Sequence, residues 1–202
     1  PVWLRGADGF FRQEHPAALP KVDIAAAREH LEKARQELGL ESWPPIALLC
    51  DDRPLTSRIT EYLQARLKEE LGLEVRIDRQ IFKQRLAKMT AGDFDIVMAG
   101  WSPDFDDPMT FGDLFASWNL NNRGRYEGAE LDRQVRIAMG SLDPKTRMAA
   151  FGKVQAILND EAVIIPMYER GQVFVRNPQL QGVVRRVVGT DPDFTHAYVG
   201  TP

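Results

Sequence analysis

The spacing of apolar residues predicts alternating helices and strands in the first half of the chain. Apolar side chains recur every three to four positions from Ile24 to Leu38, and Asp23 precedes them in the position of a helix cap. Gly39 follows as a stop signal. Residues 46–50 form an apolar run that is too short for a helix, which indicates a buried strand.

The same alternation continues to residue 101. Helical spacing is found from Ile59 to Leu71, and Gly72 ends it. Residues 73–77 alternate between apolar and charged, as in a half-buried strand. A third helix over residues 82–89 leads to a third strand over residues 94–101. Strand, helix and strand in this order predict βαβ units with parallel strands.

The two ends of the chain have a different character. Residues 1–20 are rich in aromatic residues, glycine and proline without a period, which predicts an extended arm. Two further helices are expected, one around Leu131 and one capped by Asp143. Residues 161–202 contain β-rich runs that predict strands closing the sheet or pairing with a missing neighbour. The predicted organisation is an arm, an α/β ligand-binding lobe over residues 21–160 and a β-rich C-terminal segment.

Composition narrows the class of protein. The chain has 202 residues, of which 44% are hydrophobic, enough for a substantial core. Its 26 basic and 29 acidic residues give a net charge of −3, which argues against a nucleic-acid partner. A single cysteine cannot form an internal disulfide. The start at Pro1 carries no signal-peptide pattern, and we expect the chain to be a piece of a longer protein.

The segment after the third predicted strand is the main candidate for chemistry. Trp101, Ser102 and Asp104 lie among turn-forming residues just past the carboxyl end of a parallel strand, where open α/β sheets place ligands. An indole beside carboxylates suits a cationic amine on an otherwise apolar or backbone-like ligand. The alternative interpretation is a solvated acidic turn with Trp101 filling the core below it.

Other chemistries have little support in the sequence. We expect no metal, cofactor or enzymatic activity, because the three histidines are scattered and phosphate-binding and nucleophile motifs are absent. The acidic pair Asp51-Asp52 after a strand superficially resembles a phosphoacceptor receiver domain. That alternative needs an acceptor aspartate at the end of the later strand, where Met98 and its neighbours stand instead.

The order of motifs resembles a known family. The run from Gly100 through Trp101 and Asp104 to Pro108, after a Phe-Asp-Ile strand, is similar to the oligopeptide- and dipeptide-binding proteins of ABC importers. The likeness extends over most of the chain, from about Asp23 to Tyr198, with matching helices, strands and helix endings. It is therefore more specific than any single motif.

The resemblance implies a periplasmic-binding-protein-like lobe with a mixed, mostly parallel sheet flanked by helices. In this family two lobes close over a peptide, and the aspartate matching Asp104 binds the α-amine of the peptide. Trp101, Phe82 and Ser102 are then expected to contact the ligand. The implied partners are a peptide or related small solute, the permease subunits and a missing N-terminal lobe. The implied location is extracytoplasmic, in the periplasm or on the cell surface as a lipoprotein.

One departure from the family pattern leaves the ligand open. Members that accept longer peptides carry arginines for the ligand carboxylate where this chain has Met89 and Met98. Either the carboxylate is bound elsewhere, or the ligand is not a standard short peptide. A solute-sensing domain of a cytoplasmic regulator is a further alternative, and the sequence upstream would distinguish it through a helix-turn-helix or a secretory signal.

Overall fold

A computed structural model describes residues 1–17, 19, 21–171, 173–186, 188–189 and 191–200. The chain divides into two compact units, one of residues 20–100 and one of residues 1–19 with 101–202. In chain order the helices and strands are α1 Phe11–Glu14, α2 Ile24–Glu37, β1 Ile46–Asp51, α3 Pro54–Leu71, β2 Val75–Gln80, α4 Phe82–Ala91, β3 Ile96–Val97, α5 Met109–Gly112, α6 Ala129–Gly140, α7 Pro144–Asp160, β4 Leu180–Gln181 and β5 Tyr198–Val199.

The unit of residues 20–100 is an α/β layer built on a parallel sheet. The strand order is β2-β1-β3, and β1 pairs in parallel with both neighbours. Leu48 of β1 is paired with Ile77 of β2 on one side and with Ile96 of β3 on the other. Leu48, Leu49 and Cys50 are buried because the central strand is covered on both faces. The predicted α/β class and the parallel pairing are confirmed.

Local sequence signals begin and end the helices of this unit as predicted. The Asp23 carboxylate accepts a hydrogen bond from the Ala26 N–H at 2.9 Å and caps α2. Gly72 ends α3 with a φ of 70°, in the left-handed region that favours glycine. Gly92 ends α4 in the same way, with a φ of 77°. The third strand is shorter than predicted, although the Met98 N–H still donates to the Leu49 carbonyl at 2.8 Å.

The other unit is organised around helices α6 and α7. The predicted cap at Asp143 is present, since its carboxylate accepts the Thr146 N–H at 2.9 Å. Two clusters of buried apolar side chains form the core of this unit. The first contains Leu4, Phe11, Ala138, Met148, Ala150 and Phe151, and the second contains Ala116, Leu131, Val135, Val154 and Leu158.

The prediction of an extended N-terminal arm is wrong. Leu4 and Phe11 are only 3% and 9% exposed, and the chain between them turns through an antiparallel bridge from Arg5 to Phe10. The Glu14 carboxylate accepts hydrogen bonds from three consecutive N–H groups, those of residues 7–9, and so fixes the turn. These backbone hydrogen bonds lower the pKa of Glu14. The residues fold into the core because their apolar side chains find partners on α7.

Where the structure describes the C-terminal segment, its predicted strands do not close the parallel sheet, and their pairing with a missing neighbour stays a prediction. Residues 163–171 and 173–176 contain no strand, and the bulk of Val173 and Val175 is exposed, at 95% and 97%. The segment instead contains the short antiparallel pair of β4 and β5 and a bridge between Val184 and Asp193. One of the predicted strand residues, Val187, lies outside the described residues. A β-prone sequence forms a strand only when a neighbouring strand satisfies its backbone.

The lobe boundaries predicted at residues 21–160 stay a prediction. Within the described part of the chain, no helix is both long and apolar enough to cross a lipid bilayer.

Candidate functional site

The predicted ligand-binding loop starts at Trp101, four residues after the end of β3 at Val97. Trp101 is 41% exposed, so it does not fill the core as the alternative interpretation required. Ser102 and Asp104 are also exposed. The structure therefore presents three of the four predicted site residues on one solvent-exposed loop of the unit that contains residues 101–202.

The backbone of Asp104 is fixed by a hydrogen bond, whereas its carboxylate has no partner among the described residues. The Asp104 N–H donates to the Oγ1 atom of Thr110 at 2.9 Å, and Thr110 is only 3% exposed. Among the described residues, none forms a hydrogen bond or an ion pair with the Asp104 carboxylate. A fixed backbone with an unpaired acidic side chain is an arrangement that can accept a cationic group.

A second aspartate fastens the loop to α7. Arg147 donates two hydrogen bonds to the Asp107 carboxylate, at 2.7 and 2.5 Å. The same carboxylate accepts the Met109 N–H at 2.8 Å. Burial raises the pKa of Asp107, but the hydrogen bonds from Arg147 and from the Met109 N–H outweigh it, so the pKa lies below its ordinary value. Asp107 therefore has a structural role that sequence analysis did not separate from that of Asp104.

Phe82 belongs to the unit of residues 20–100, at the first position of α4. Its side chain is 63% exposed, so the alternative of a buried helix face is wrong for this residue. The Arg85 guanidinium carbon lies 5.4 Å from the centre of the Phe82 ring. Arg85 is 5% exposed and is the only buried residue that the structure describes in α4. Sequence analysis missed it, although a charged residue at helical spacing between Phe82 and Met89 was a visible signal.

The first residue of the acidic pair at the carboxyl end of β1 is buried and paired within the chain. Asp51 is 4% exposed, and its carboxylate accepts a hydrogen bond from Arg53 at 2.5 Å. This hydrogen bond is the main reason why the pKa of Asp51 is lowered to about 2. Nothing in the described structure favours the receiver-domain alternative.

None of the predicted site residues lines either of two grooves in the unit of residues 20–100. A groove of about 450 Å³ in the unit of residues 20–100 is lined by α2, Trp43 and the end of α3, and another of about 500 Å³ lies beside Gln64 and Val75. Both are open and largely lined by charged side chains. We regard them as surface grooves, because neither combines an apolar lining with convergent polar groups.

The parallel α/β unit and the exposed loop of Trp101 and Asp104 define a class, that of a lobe of a solute-binding protein. The comparison with protein families agrees: residues 5–122, more than half of the chain, match the model described as bacterial extracellular solute-binding proteins, family 5 Middle. The chain belongs to this family.

Known relatives match over most of the chain. It is 31% identical over 182 residues to the dipeptide-binding protein DppE of Bacillus subtilis, covering 90% of this chain and 34% of that protein. It is 29% identical over 180 residues to the oligopeptide-binding protein OppA of the same organism, covering 87% of this chain and 33% of that protein. The chain thus spans about a third of the length of these relatives.

Solved structures agree with the fold. The substrate-binding domain of an oligopeptide ABC transporter from Bacillus anthracis superposes with a TM-score of 0.86 at 31% identity, covering 97% of this chain and 38% of that one. OppA of Listeria monocytogenes bound to peptide gives a TM-score of 0.76 at 27% identity, covering 89% of this chain and 34% of that one. The resemblance drawn from the sequence is confirmed.

Proposed function

We propose that this chain is part of the substrate-binding component of an ABC importer, which captures peptides or a related small solute outside the cytoplasm. Family membership supports this proposal, as do the names of relatives that bind dipeptides and oligopeptides. The protein acts as a carrier and not as an enzyme, and it delivers its ligand to a membrane permease after its lobes close.

The observation that carries the proposal is the open carboxylate of Asp104 on a braced loop. Thr110 holds its backbone and the Asp107–Arg147 pair holds the following turn, so little ordering is needed when a ligand arrives. The α-amine of a peptide carries three N–H donors and a positive charge, which matches an unpaired carboxylate. In this role Asp104 fixes one end of the ligand.

The other predicted site residues contribute apolar contact and a hydroxyl group. Trp101 is half-exposed beside Asp104 in the sequence and offers a flat surface to a peptide backbone or side chain. Ser102 adds a hydrogen-bonding group, and Phe82 offers a second exposed ring. Such contacts do not select one side chain, so we expect a broad range of ligands.

The experiment compares two aspartates of the same loop by titration calorimetry in the full-length protein, with di- to pentapeptides as ligands. We expect Asp104→Asn to weaken binding about tenfold or more, because a charge-assisted contact is lost. Asp106→Asn is the matched control, since it removes an equally exposed charge two residues away, and should change the affinity by less than about threefold.

Acetylated peptides make the test specific for the amine. N-acetylation should weaken binding to the wild-type protein as much as Asp104→Asn does, and should have little further effect in that variant. Equal losses in the Asp104 and Asp106 variants would contradict the assignment. We also expect the isolated 202-residue chain to bind these peptides weakly or not at all, because a closed site needs a second lobe. Tight binding by the isolated chain would contradict that expectation.

A further inference from the structure

Arg85 is a charged side chain in a buried position, where charge is energetically unfavourable. It lies in the middle of α4, is 5% exposed, and is the only described residue of that helix that is buried. Removing a guanidinium from water costs free energy that an ion pair or hydrogen bonds must offset. The partners of Arg85 therefore decide what its role is.

The described part of the chain does not supply an anionic partner for Arg85. Its Nε atom is buried and makes no hydrogen bond to any described residue. Its Nη1 atom contacts the Met89 sulfur at 3.3 Å, and thioether sulfur is a weak acceptor. The nearby cation Lys88 shows the contrast, since it pairs with Asp78 at 2.7 Å and with Asp93 at 2.9 Å.

Exposed apolar side chains lie next to Arg85 on α4. The Phe82 ring lies over the guanidinium and is itself 63% exposed, while Leu86 on the next turn is 37% exposed. A ligand that lies against the exposed Phe82 ring comes close to Arg85, because the guanidinium carbon lies 5.4 Å from the centre of that ring.

We propose that Arg85 binds a carboxylate group of the transported ligand. This inference rests on the proposed function and adds to it a residue that recognises ligand charge. The planar guanidinium presents parallel N–H donors that match the two oxygens of a carboxylate. The carboxylate belongs either to the C-terminus of a peptide or to an acidic side chain, and the two sources share this chemistry.

The first test uses trialanine and its C-terminal amide as probes, in the full-length wild-type protein and in Arg85→Met. Amidation should weaken binding to the wild type about tenfold or more, whereas the variant should bind the acid and the amide equally. Lys83→Met is the matched control, because it removes the same charge from an exposed position of the same helix and should keep the discrimination. Equal discrimination in Arg85→Met and wild type would overturn the proposal.

A second pair of probes separates the sources of the carboxylate. If the side-chain carboxylate is the one recognised, the amides of Ala-Asp-Ala and Ala-Asn-Ala will be discriminated by the wild type and not by Arg85→Met. Discrimination within either pair of probes supports the proposal, whereas probes that bind without discrimination in either pair overturn it. Arg85→Lys keeps the charge but loses the planar fork, so it should show an intermediate discrimination.

A third measurement does not depend on peptide binding. At equal ionic strength and pH 7, replacing 0.1 M chloride by about 0.1 M acetate should raise the Tm of the wild type and of Lys83→Met by about 2 °C. Arg85→Met should fold with a Tm at or above that of the wild type in chloride and show no rise with acetate. No acetate effect in the wild type, or marked destabilisation by Arg85→Met, would overturn the proposal. Failure of all peptides to bind, with the acetate effect intact, would contradict the proposed function alone.

Discussion

The ion pair between Asp107 and Arg147 is expected to stabilise the unit that carries the ligand-binding loop. Exposed ion pairs contribute about 0–1 kcal/mol, and removing one partner of a buried pair costs about 3–5 kcal/mol. This pair is intermediate, since its side chains are 32% and 22% exposed and its contact is bidentate. We therefore expect Arg147→Met to lower the free energy of unfolding by about 1–3 kcal/mol.

Arg147 makes other contacts that the measurement must separate. Its Nε donates to the Ala138 carbonyl at 3.1 Å, and its guanidinium carbon lies 5.2 Å from the centre of the Phe151 ring. A double-mutant cycle with Asp107→Asn and Arg147→Met isolates the ion pair. Urea unfolding followed by circular dichroism should give a coupling free energy of about 1–2 kcal/mol.

The exposed pair of Glu130 and Arg133 is the control, because its side chains are 53% and 58% exposed. Arg133→Met should cost clearly less than Arg147→Met. The pH dependence gives an independent check. The folded-state pKa of Asp107 lies below the unfolded value of about 3.8, so the stabilisation is complete well above pH 3.8 and is lost as the pH falls through the folded-state pKa. A coupling below about 0.5 kcal/mol at pH 7 would refute this reasoning.

Three further predictions concern packing and ionisation. Gly112→Ala should lower the free energy of unfolding by about 1–3 kcal/mol, because a β-carbon at residue 112 would overlap the ring of Phe151. An unchanged midpoint of urea unfolding would contradict this close approach of Gly112 to the ring. Burial raises the pKa of the Cys50 thiol, so its reaction with a disulfide reagent at pH 8 should be much slower in the folded than in the urea-unfolded chain. The hydrogen bond to Glu161 raises the pKa of Tyr126 to about 12. Absorbance titration should therefore show one tyrosine with a raised pKa, and Glu161→Gln should lower that pKa towards about 10.

The parallel unit could be predicted from the sequence because its signals are local. Helix caps, glycine stops and the period of apolar residues each act within a few positions, as at Asp23 and Gly72. Strands joined by helices then leave parallel pairing as the topology to expect. The class of the fold follows from these short-range features.

The terminal segments could not be predicted because their structure depends on distant partners. Leu4 and Phe11 are buried against residues of α7 more than a hundred positions away, which no local period indicates. The run from Val173 to Val175 has the composition of a strand, but it has no pairing strand among the described residues. β-propensity describes how well side chains fit a pleated surface, and it does not supply the neighbouring strand.

Charge pairing separates the two candidate ligand-binding residues from other charged side chains. Several acidic residues are paired within their own unit: Asp51 with Arg53, Asp78 with Lys88, and Asp107 with Arg147. The motif around Asp104 is the reason for predicting it as a ligand-binding residue, and that role stays a prediction. Arg85 was not predicted, because its isolation from anions is a property of the folded unit and not of the sequence.

The two residues proposed to bind ligand groups, Asp104 and Arg85, carry opposite charges. Solvent compensates the exposed carboxylate of Asp104, so its lack of a described partner costs little. Solvent does not compensate the buried Nε of Arg85, so binding an anion should bring the larger gain there. If this asymmetry holds, amidation of a peptide C-terminus will weaken binding to the full-length protein at least as much as acetylation of its N-terminus. The reverse order would mean that ligand affinity depends mainly on the amine and that Arg85 contributes little to it.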